Sequence, residues 1–537
     1  MSNLLPALAV VALLVGSFLW LSASKKPQGK LPPGPKPAAL MGNVKDMPPP
    51  GEPEFLFWHK HKALYGPVSS VTVFGQSFIL IHGRKEARDL LEKTSMKTSD
   101  RPAATFVSEI CGYENTVVGH KYDKTFRHYR KLLHQELGTK AKAARYQNIQ
   151  ELEARRMLLR VRDDSGKLLE HFKTAVGATI LKLAYGYTIE PHKADPLVSL
   201  NERVMQQFIL AVTPMSWTVD LFPALRYLPD GFPGASFKAK GKEWSECLRT
   251  IVHTPFRFVQ SEMTSNKNYQ ECYISKLLQN PDGENEKSSG PVTLSPEVER
   301  DIVWSAGSLY AAGVDTQALT LAGFTLAMIR FPEVQRKAQE EIDRVIGTHR
   351  LPSFEDREKL PYVQAVFLEA LRWWAVLPLG IPHVATEAFE YEGMFIPKGS
   401  FLIANIWSLM HDPDTYSDPE AFDPDRFLEP RNEPDPSPEA FGYGRRICPG
   451  RLLAESTVWV NIASLLATYT ISHAIDKDGN KISVDHVKPS AGTTNTPSDF
   501  QFKITPRSEV HQELIKRFEA EHPWEESSAT RIKMTSK

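Results

Sequence analysis

Cysteine is scarce in this sequence, and so is any excess of charge. The four cysteines, Cys111, Cys247, Cys272 and Cys448, lie far apart, which argues against a zinc finger or a disulfide-rich secreted scaffold. Sixty-four lysines and arginines balance 64 aspartates and glutamates, so composition does not favour nucleic acid as a partner. No Gly-x-Gly-x-x-Gly fingerprint occurs, which argues against a dinucleotide-binding domain.

One stretch lacks charge altogether. Leu4 to Ala23 (LLPALAVVALLVGSFLWLSA) is about long enough to cross a bilayer as one helix. No basic residue precedes it and Lys25, Lys26 and Lys30 follow it, so the positive-inside rule places the rest of the chain in the cytosol. We therefore predict an uncleaved anchor over residues 1–24, in the endoplasmic reticulum membrane. The alternative is a cleaved secretory signal, but no clear small-residue cleavage site ends the run.

The rest of the chain shows no long low-complexity linker. Leu31 to Pro35 (LPPGP) is stiff and extended, which predicts a proline-rich hinge over residues 25–50. Val68 to His82 alternates like a hairpin with a Gly-Gln turn, and Leu152 to Val259 reads mainly as amphipathic helices. We expect one catalytic domain over residues 51–537, with a polar and uninformative stretch after Arg507.

The segment Phe441 to Gly450 (FGYGRRICPG) combines glycines, two arginines and a cysteine. Its glycines let the backbone turn tightly and approach a flat partner. Nearby positive charge lowers the pKa of a thiol, and amides of a turned loop can donate to its sulfur. Cys448 is therefore a candidate thiolate ligand for iron. The alternative for a lone cysteine is a buried structural residue beside a helix start.

This segment matches Phe-Gly-x-Gly-x-Arg-x-Cys-x-Gly, the haem-binding signature of the cytochrome P450 family. The matching residues are Phe441, Gly442, Gly444, Arg446, Cys448 and Gly450. The chain thus resembles a microsomal P450 of the fungal type. The resemblance implies haem b (iron protoporphyrin IX) with Cys448 as its axial thiolate. It also implies the cytochrome P450 fold, mainly α with a small β-rich region, which we expect to be preceded by one N-terminal transmembrane helix.

A long helix is predicted from Ser295, an N-cap followed by proline, to Phe331, which also precedes a proline. Inside it, the motif Ala312-Gly313-Val314-Asp315-Thr316 lowers helix propensity for no obvious packing gain. Its polar side chains could be satisfied structurally, for example by the carbonyl four residues earlier. The resemblance implies instead an oxygen-activating groove at Ala312 and Gly313, where Thr316 hydrogen-bonds bound oxygen and Asp315 relays protons.

Two further residues are candidates for holding haem propionates. Arg130 ends Phe126-Arg127-His128-Tyr129-Arg130, which resembles the family pattern Trp-x-x-x-Arg, although Phe126 lacks the indole N–H donor of tryptophan. A guanidinium suits a carboxylate, whereas the alternative is an ordinary solvated helix charge. His383 stands where relatives place a second propionate donor. It could equally be a hydrogen-bonded core histidine.

Glu369 and Arg372 are three residues apart on a predicted helix that starts near Pro361, so they share one face. A surface ion pair of little energetic value is the default for such spacing. The pair matches the family motif Glu-x-x-Arg, and Arg426 lies in a segment that resembles the source of a second arginine. The resemblance implies that Glu369, Arg372 and Arg426 form a buried structural charge triad before Cys448.

Several residues, most of them apolar, are predicted to contact substrate because relatives place these segments around the pocket. They are Phe106 and Ile110 in a roof segment, Phe208 in a lid, Val376, Leu377 and Leu379 in a turn, and Thr494 near the C-terminus. Such a lining argues only for an apolar, membrane-partitioning molecule.

The resemblance implies a monooxygenase that inserts one atom of O₂ into an apolar small molecule. The sequence of residues 380–413 is similar to that of fungal enzymes of secondary metabolism that oxidise terpenoids or polyketides. Electrons would come from NADPH through the flavins of a separate cytochrome P450 reductase, docked by charge at Arg127, Lys131, Arg445 and Arg451. Two alternatives stay open: a haem-thiolate isomerase or dehydratase that needs no reductase, and a haem-binding sensor or carrier without enzymatic activity.

Overall fold

The computed structural model describes residues 29–213, 216–265, 269–280 and 294–532. The predicted membrane anchor at residues 1–24 lies outside them. The chain divides into two compact units. We call one the β unit (residues up to Pro102, Leu377–Leu409 and Gly442–Ile447) and the other the helical unit (Ala103–Val376, Met410–Phe441 and Cys448 onward).

Helices dominate the described part of the chain, as the fold class predicted. The α-helices are α1 Glu54–Tyr65, α2 Arg84–Arg88, α3 Ser95–Thr98, α4 Lys124–Leu137, α5 Lys140–Ala144, α6 Gln147–Asp163, α7 Leu168–Tyr185, α8 Pro196–Val212, α9 Thr218–Leu221, α10 Ser236–Ser265, α11 Tyr273–Gln279, α12 Pro296–Arg330, α13 Pro332–Val345, α14 Pro361–Trp373, α15 Ile406–Met410, α16 Ser437–Ala440, α17 Arg451–Thr468 and α18 Glu509–Glu521. The strands are β1 Val68–Val73, β2 Gln76–Ile81, β3 His383–Val384, β4 Phe389–Tyr391, β5 Met394–Ile396, β6 Phe401–Ala404, β7 Tyr469–His473 and β8 Phe502–Pro506.

The β unit contains a sheet in the order β1-β2-β6-β3, in which only β2 and β6 run parallel. The predicted hairpin is confirmed, but its turn is formed by Phe74 and Gly75, both at positive φ, and not by Gly-Gln. A two-residue hairpin turn of this kind requires positive φ at both positions, and Gln76 pairs with Val73 as part of the strand. Trp58, Val71 and Leu80 form the apolar cluster beneath the sheet.

The helical unit is built around α12, whose 35 residues span about 50 Å. The Ser295 hydroxyl accepts a hydrogen bond from the Val298 N–H, and Phe331 ends the helix before a proline, so both predicted ends are confirmed. Within the described residues, α12 is the one helix long and apolar enough to cross a membrane, and 83% of its apolar window is buried inside the protein. It is therefore the core helix of this unit.

Glycines let the neighbours of α12 approach closely. A Cβ on Gly313 would lie 2.5 Å from Ile180 Cδ1 of α7, and a Cβ on Gly323 would lie 2.5 Å from Trp374 Cβ. The prediction that Gly313 brings no packing gain is therefore wrong. The loss of helix propensity at Gly313 is offset by close packing of two helices.

The described part of the stretch after Arg507, which was uninformative as a sequence, contains a further helix. It forms α18, which buries Leu514, Ile515 and Phe518 in the larger core of the helical unit. The apolar positions recur at i, i+1 and i+4, so the helical signal was present but was hidden by the polar composition of the segment.

Candidate active site

Cys448 lies at the end of a turned loop just before α17. Its N–H donates to the Phe441 carbonyl at 2.8 Å, which closes the loop. Gly442 and Gly444 hold positive φ angles of 78° and 56°, which favour glycine. A Cβ on Gly444 would lie only 2.4 Å from the Leu91 carbonyl oxygen, so glycine is also required there sterically. The signature glycines thus shape the loop as their spacing predicted.

Different groups around Cys448 shift the pKa of its thiol in opposite directions. Burial raises the pKa of Cys448, while the Gly450 N–H bonded to its sulfur and the charges of Arg130 and Arg451 lower the pKa. The sulfur also lies near the start of α17, where the helix dipole favours negative charge. A bound metal ion would supply the remaining stabilisation and deprotonate the thiol.

Arg130 lies on α4, whose start is fixed by the Asp123 carboxylate accepting the Phe126 N–H at 2.9 Å. Burial lowers the pKa of Arg130 and the charge of Cys448 raises it, which places this guanidinium within electrostatic reach of the sulfur. Phe126 is buried in the core of the helical unit. Phenylalanine therefore keeps the packing role of the family tryptophan and offers no N–H.

The β unit contains a second group of polar side chains, which we call the cationic cluster: Arg101, Arg446 and His383. Arg101 donates to the Ile381 and Pro382 carbonyls at 2.8 and 2.7 Å, and Arg446 Nε donates to the Ser99 carbonyl at 2.7 Å. Burial and then the charge of Arg446 lower the pKa of Arg101 well below its usual value, with Asp100 acting in the opposite direction. Two like charges are thus buried together.

His383 is buried in this cluster, and its hydrogen bond fixes its tautomer. Nδ1 lies 2.8 Å from the Thr98 carbonyl, which can only accept, so Nδ1 carries the proton. Burial and the charges of Arg101 and Arg446 lower the pKa of His383 to about 3, which keeps the ring neutral near pH 7. A neutral ring has no second N–H to offer a propionate. Arg101, which sequence reasoning missed, adds a second buried guanidinium group to this cluster.

The charge triad forms in the helical unit as its spacing and motif predicted. Glu369 accepts from Arg372 Nε at 2.7 Å and from Arg426 Nε at 3.0 Å, and all three side chains are fully buried. Glu433 also pairs with Arg426 at 2.7 Å. The Asp423 N–H donates to Glu369 at 2.8 Å, so the triad fixes the segment that starts at Asp423.

One face of α12 is accessible, although the helix is otherwise buried. Ala312 is exposed, and Ser308, Ala311, Asp315 and Thr316 are half-buried. These positions follow i, i+3, i+4, i+7 and i+8, which is one side of an α-helix. Ala312, Asp315 and Thr316 of the predicted oxygen-activating motif thus share one side of α12 with Ser308 and Ala311, whereas Val314 is buried.

Thr316 and Asp315 have different partners on this strip. The Thr316 hydroxyl donates to the Ala312 carbonyl at 3.0 Å, four residues earlier, and α12 continues as a helix through the motif. Asp315 Oδ1 lies 3.8 Å from Lys173 Nζ, and Lys173 lies 3.1 Å from Glu202. Burial, opposed by Lys173, raises the pKa of Asp315 to about 6. Asp315 can therefore both give and take a proton near neutral pH.

The predicted pocket residues fall into separate environments. Phe106 is fully buried and its ring stacks on Trp217 at 3.5 Å, which is the packing of a core residue. Phe208 packs on the ring of Tyr113 at 4.9 Å. Ile110 meets α10 at Gly241, and the buried Thr494 is next to Asn495, whose N–H donates to the Val376 carbonyl.

Two residues of the predicted pocket turn lie in the β unit. Leu379 packs against the apolar cluster beneath the sheet. The Leu377 carbonyl accepts from the Gly380 N–H at 2.9 Å, which forms the turn itself. Their predicted contact with substrate stays a prediction.

The sequence model of the cytochrome P450 family matches residues 32–503, most of the chain. The chain therefore belongs to the cytochrome P450 family. The other three cysteines belong to the core of the helical unit, since Cys111 and Cys272 are buried and Cys247 is half-buried against the same core.

Similar proteins cover almost the whole chain. Cytochrome P450 monooxygenase CLM2 of Gibberella zeae is 45% identical over 524 residues, 97% of this chain and 98% of that protein. Multifunctional cytochrome P450 monooxygenase af510 of Aspergillus fumigatus is 41% identical over 94% of this chain and 93% of that protein. O-methylsterigmatocystin oxidoreductase of Aspergillus flavus is 35% identical over 95% and 94%. The predicted enzyme class, a cytochrome P450 monooxygenase, is confirmed.

Membership of this family implies a haem cofactor, and the residues present fit one. The helical unit offers a thiol whose sulfur accepts an N–H bond and lies within electrostatic reach of a guanidinium, which suits an iron ligand. The β unit offers two buried guanidinium groups whose charges repel, which suits an anionic group such as a carboxylate. The donor chemistry required by haem is thus present in this chain.

Proposed function

We propose that this protein inserts one oxygen atom from O₂ into an unreactive C–H or C=C bond of an apolar small molecule, and reduces the other atom to water. We propose as substrate a terpenoid or polyketide of fungal secondary metabolism. The relatives from Gibberella zeae and Aspergillus fumigatus support the monooxygenase reaction, and the Aspergillus flavus relative, whose name contains O-methylsterigmatocystin, supports a small organic metabolite as substrate. Electrons would come from NADPH through a separate flavoprotein reductase.

The observation that carries this proposal is the environment of Cys448. When bound, haem supplies the activation of O₂. Cys448 would ligate its iron, with the Gly450 N–H and Arg130 stabilising negative charge on sulfur. Guanidinium groups would hold the propionates, for which Arg130 is the candidate in the helical unit and Arg101 and Arg446 are the candidates in the β unit. The charge triad holds its segment in place without contacting a reacting atom.

Asp315 is the proposed proton donor. With a pKa of about 6, roughly one Asp315 in ten carries a proton at pH 7. Lys173 and Glu202 connect this carboxyl to the surface, because both side chains are partly exposed. Thr316, whose hydroxyl now donates within α12, can turn to another acceptor through a single χ1 rotation.

The test uses purified full-length protein with reductase, NADPH and a panel of terpenoid and polyketide scaffolds. The proposal requires oxygenated product whose added atom comes from ¹⁸O₂. Asp315→Asn should lower product formation about a hundredfold while NADPH is still consumed. Product from a hydroperoxide without NADPH would support an isomerase or dehydratase instead. Ligand binding without product under any electron supply would support a sensor.

We further propose that the reductase docks by charge at Arg127, Lys131, Arg445 and Arg451. Arg127 and Lys131 are exposed on α4, Arg445 is exposed in the β unit, and Arg451 is half-buried at the start of α17. Reversing these charges should slow the reductase-supported rate and flatten its salt dependence. An unchanged rate and salt profile would remove this proposal.

We also propose that residues 1–24 anchor the protein in the endoplasmic reticulum membrane with the catalytic part in the cytosol. Their length, lack of charge and following lysines support it. The protein should sediment with microsomes and resist carbonate extraction. A variant without residues 1–24 should lose that resistance, and a wild-type protein released by carbonate would contradict the proposal.

A further inference from the structure

The last described residues of the chain lie beyond the family match, which ends at residue 503. After α18 ends at Glu521, residues 524–532 contact α6, α7 and α10 of the helical unit. We call residues 524–532 the C-terminal strap. Its contacts are specific, and three different kinds of interaction secure it.

The strap begins with a tryptophan laid over two nearly buried arginines. The guanidinium groups of Arg156 and Arg160 lie 5.2 and 5.0 Å from the Trp524 ring centroid. Among the described residues, none of the three Arg160 side-chain nitrogens has a hydrogen-bond partner, and its nearest acid, Glu153, is 3.9 Å away. The face of Trp524 therefore supplies cation–π stabilisation that this arginine needs.

The middle of the strap is joined to the end of α7. Glu525 pairs with Lys182 at 2.5 Å and with Arg156 at 3.3 Å. The Ser528 N–H donates to the Thr188 carbonyl at 2.8 Å, and the Thr188 N–H donates to the Ser528 hydroxyl at 3.1 Å. This reciprocal pair fixes the register of the strap on the segment that follows α7.

The end of the strap contacts α10. Arg531 pairs with Glu262 at 2.7 Å and its guanidinium lies 5.6 Å from the Phe258 ring centroid. Both residues follow Pro255, which interrupts the hydrogen bonding inside α10 because proline has no N–H. The strap thus holds the C-terminal third of α10, which follows this interruption.

The N-terminal part of α10 packs against Thr105–Ile110, the segment predicted to roof the substrate pocket. A Cβ on Gly241 would lie 2.4 Å from Ile110 Cγ2, and the Trp244 ring meets Phe106 edge-on at 5.6 Å. A shift of α10 along or about its axis would therefore displace residues 105–110, because protein interiors transmit strain.

From these contacts we propose that the C-terminal strap is a clamp that positions α10 and, through it, the roof segment Thr105–Ile110. The part about the roof rests on the proposed function, since it takes the segment predicted to contact the substrate as a route of substrate entry. Trp524, Glu525 and Arg531 are positioning residues in this scheme. Their contacts are with α6, α7 and α10.

The first experiment follows hydrogen exchange in the full-length protein and in a variant that ends at Pro523. Loss of the strap should speed exchange about tenfold or more in residues 256–265 and 105–110, while α17 and the β sheet are unchanged. A protein that ends at Ile532 is the matched control and should behave as the full chain. Unchanged exchange in α10, or equal acceleration throughout the protein, would overturn the proposal.

A charge swap tests the contact between the strap and α10 in the full-length chain, so the result does not depend on how well the truncated protein folds. Arg531→Glu and Glu262→Arg should each speed exchange in residues 256–265, and the double variant should recover most of the loss. If the double variant exchanges as fast as either single variant, the ion pair does not position α10. Lys516→Ala, which removes an exposed pair inside α18, should change neither region.

Steady-state kinetics separates the clamp from the proposed function. With a confirmed substrate, the protein ending at Pro523 should show a KM several-fold different from the full chain and a nearly unchanged kcat. A kcat that falls with an unchanged KM would contradict the role in substrate entry. If no protein forms product, the proposed function fails, and the exchange data still decide whether the strap positions α10.

Discussion

The two units of this protein each bury arginines, and they do so in opposite ways. In the helical unit, Glu369 lies between Arg372 and Arg426, so every charge of the triad meets an opposite charge. In the cationic cluster of the β unit, Arg101 and Arg446 repel each other and His383 stays neutral. The triad is a closed network, whereas the cationic cluster brings two arginines together, with Asp100 opposing their repulsion at Arg101.

This difference separates a structural role from a binding role. A closed network of buried charges stabilises its own segments, and removal of one member leaves an uncompensated charge. A buried excess of positive charge costs free energy in the protein alone and is relieved by an anion. We therefore expect the triad to govern folding and the cationic cluster to govern retention of the cofactor.

The largest effect is expected at the triad. Glu369→Gln keeps the size of the side chain but leaves Arg372 and Arg426 without their shared carboxylate, which should cost about 3–5 kcal/mol in the free energy of unfolding. Urea unfolding followed by circular dichroism measures it. A loss below about 1 kcal/mol would break the comparison, since the triad would then not be a closed structural network.

The next effect concerns Arg446 and Arg101. Arg446→Gln can still donate to the Ser99 carbonyl but carries no charge, so haem should dissociate about tenfold to a hundredfold faster, as expected for one lost charge-assisted hydrogen bond. Transfer of haem to an excess of a haem-binding acceptor gives the rate. In the haem-free protein the free energy of unfolding should change by less than about 1 kcal/mol. An unchanged rate of haem dissociation together with a large loss in the free energy of unfolding would show that the cluster is structural.

Acid should act on the cationic cluster through His383. Its pKa is lowered to about 3 in the folded protein, against 6.5 when unfolded, so the unfolded chain binds the proton first. The stability contributed by the neutral ring is present above about pH 6.5 and is lost as the pH falls toward 3. His82, buried in the same unit with a pKa of about 3, acts in the same direction.

Urea unfolding at a series of pH values checks this prediction. His383→Asn cannot take up a proton, so its stability should fall less steeply than that of the wild type below about pH 6.5. At pH 7.5 the same variant should retain haem nearly as well as the wild type, because the neutral ring offers no N–H to a propionate. A large loss of haem at that pH would restore His383 as a donor.

The smallest effect is expected from an exposed pair next to the triad. Lys337 and Asp425 lie 2.8 Å apart and each side chain is 46% exposed. Lys337→Ala should change the free energy of unfolding by about 0.2–1 kcal/mol, as surface pairs do. An effect as large as that of Glu369→Gln would mean that proximity to Arg426, and not burial of the charges, determines the loss in the free energy of unfolding.

Local signals made much of the fold predictable. A serine cap, a proline at the first helical position and a second proline after Phe331 define both ends of α12, and all of them act within one turn of the helix end. Likewise Glu369 and Arg372 share one helix face by spacing alone. Such features depend on neighbours in the chain, so they can be read from the sequence.

The features that were missed depend on partners distant in the chain. Arg101 becomes a candidate only because the fold brings it beside Arg446, and Gly313 is explained only by Ile180. The C-terminal strap was uninformative as a sequence because Trp524 and Arg531 contact α6 and α10, which are distant in the chain. The resemblance could not supply the strap either, since the family match stops at residue 503.

The most direct test of the account is the absorption spectrum of the reduced protein with carbon monoxide. We predict a Soret band shifted to the red, as a thiolate-bound haem gives, and loss of that band in Cys448→Ala, with Cys272→Ala as the control that keeps it. A wild-type spectrum without the shift, or a Cys448→Ala spectrum that matches the wild type, would contradict the assignment of Cys448 as the iron ligand.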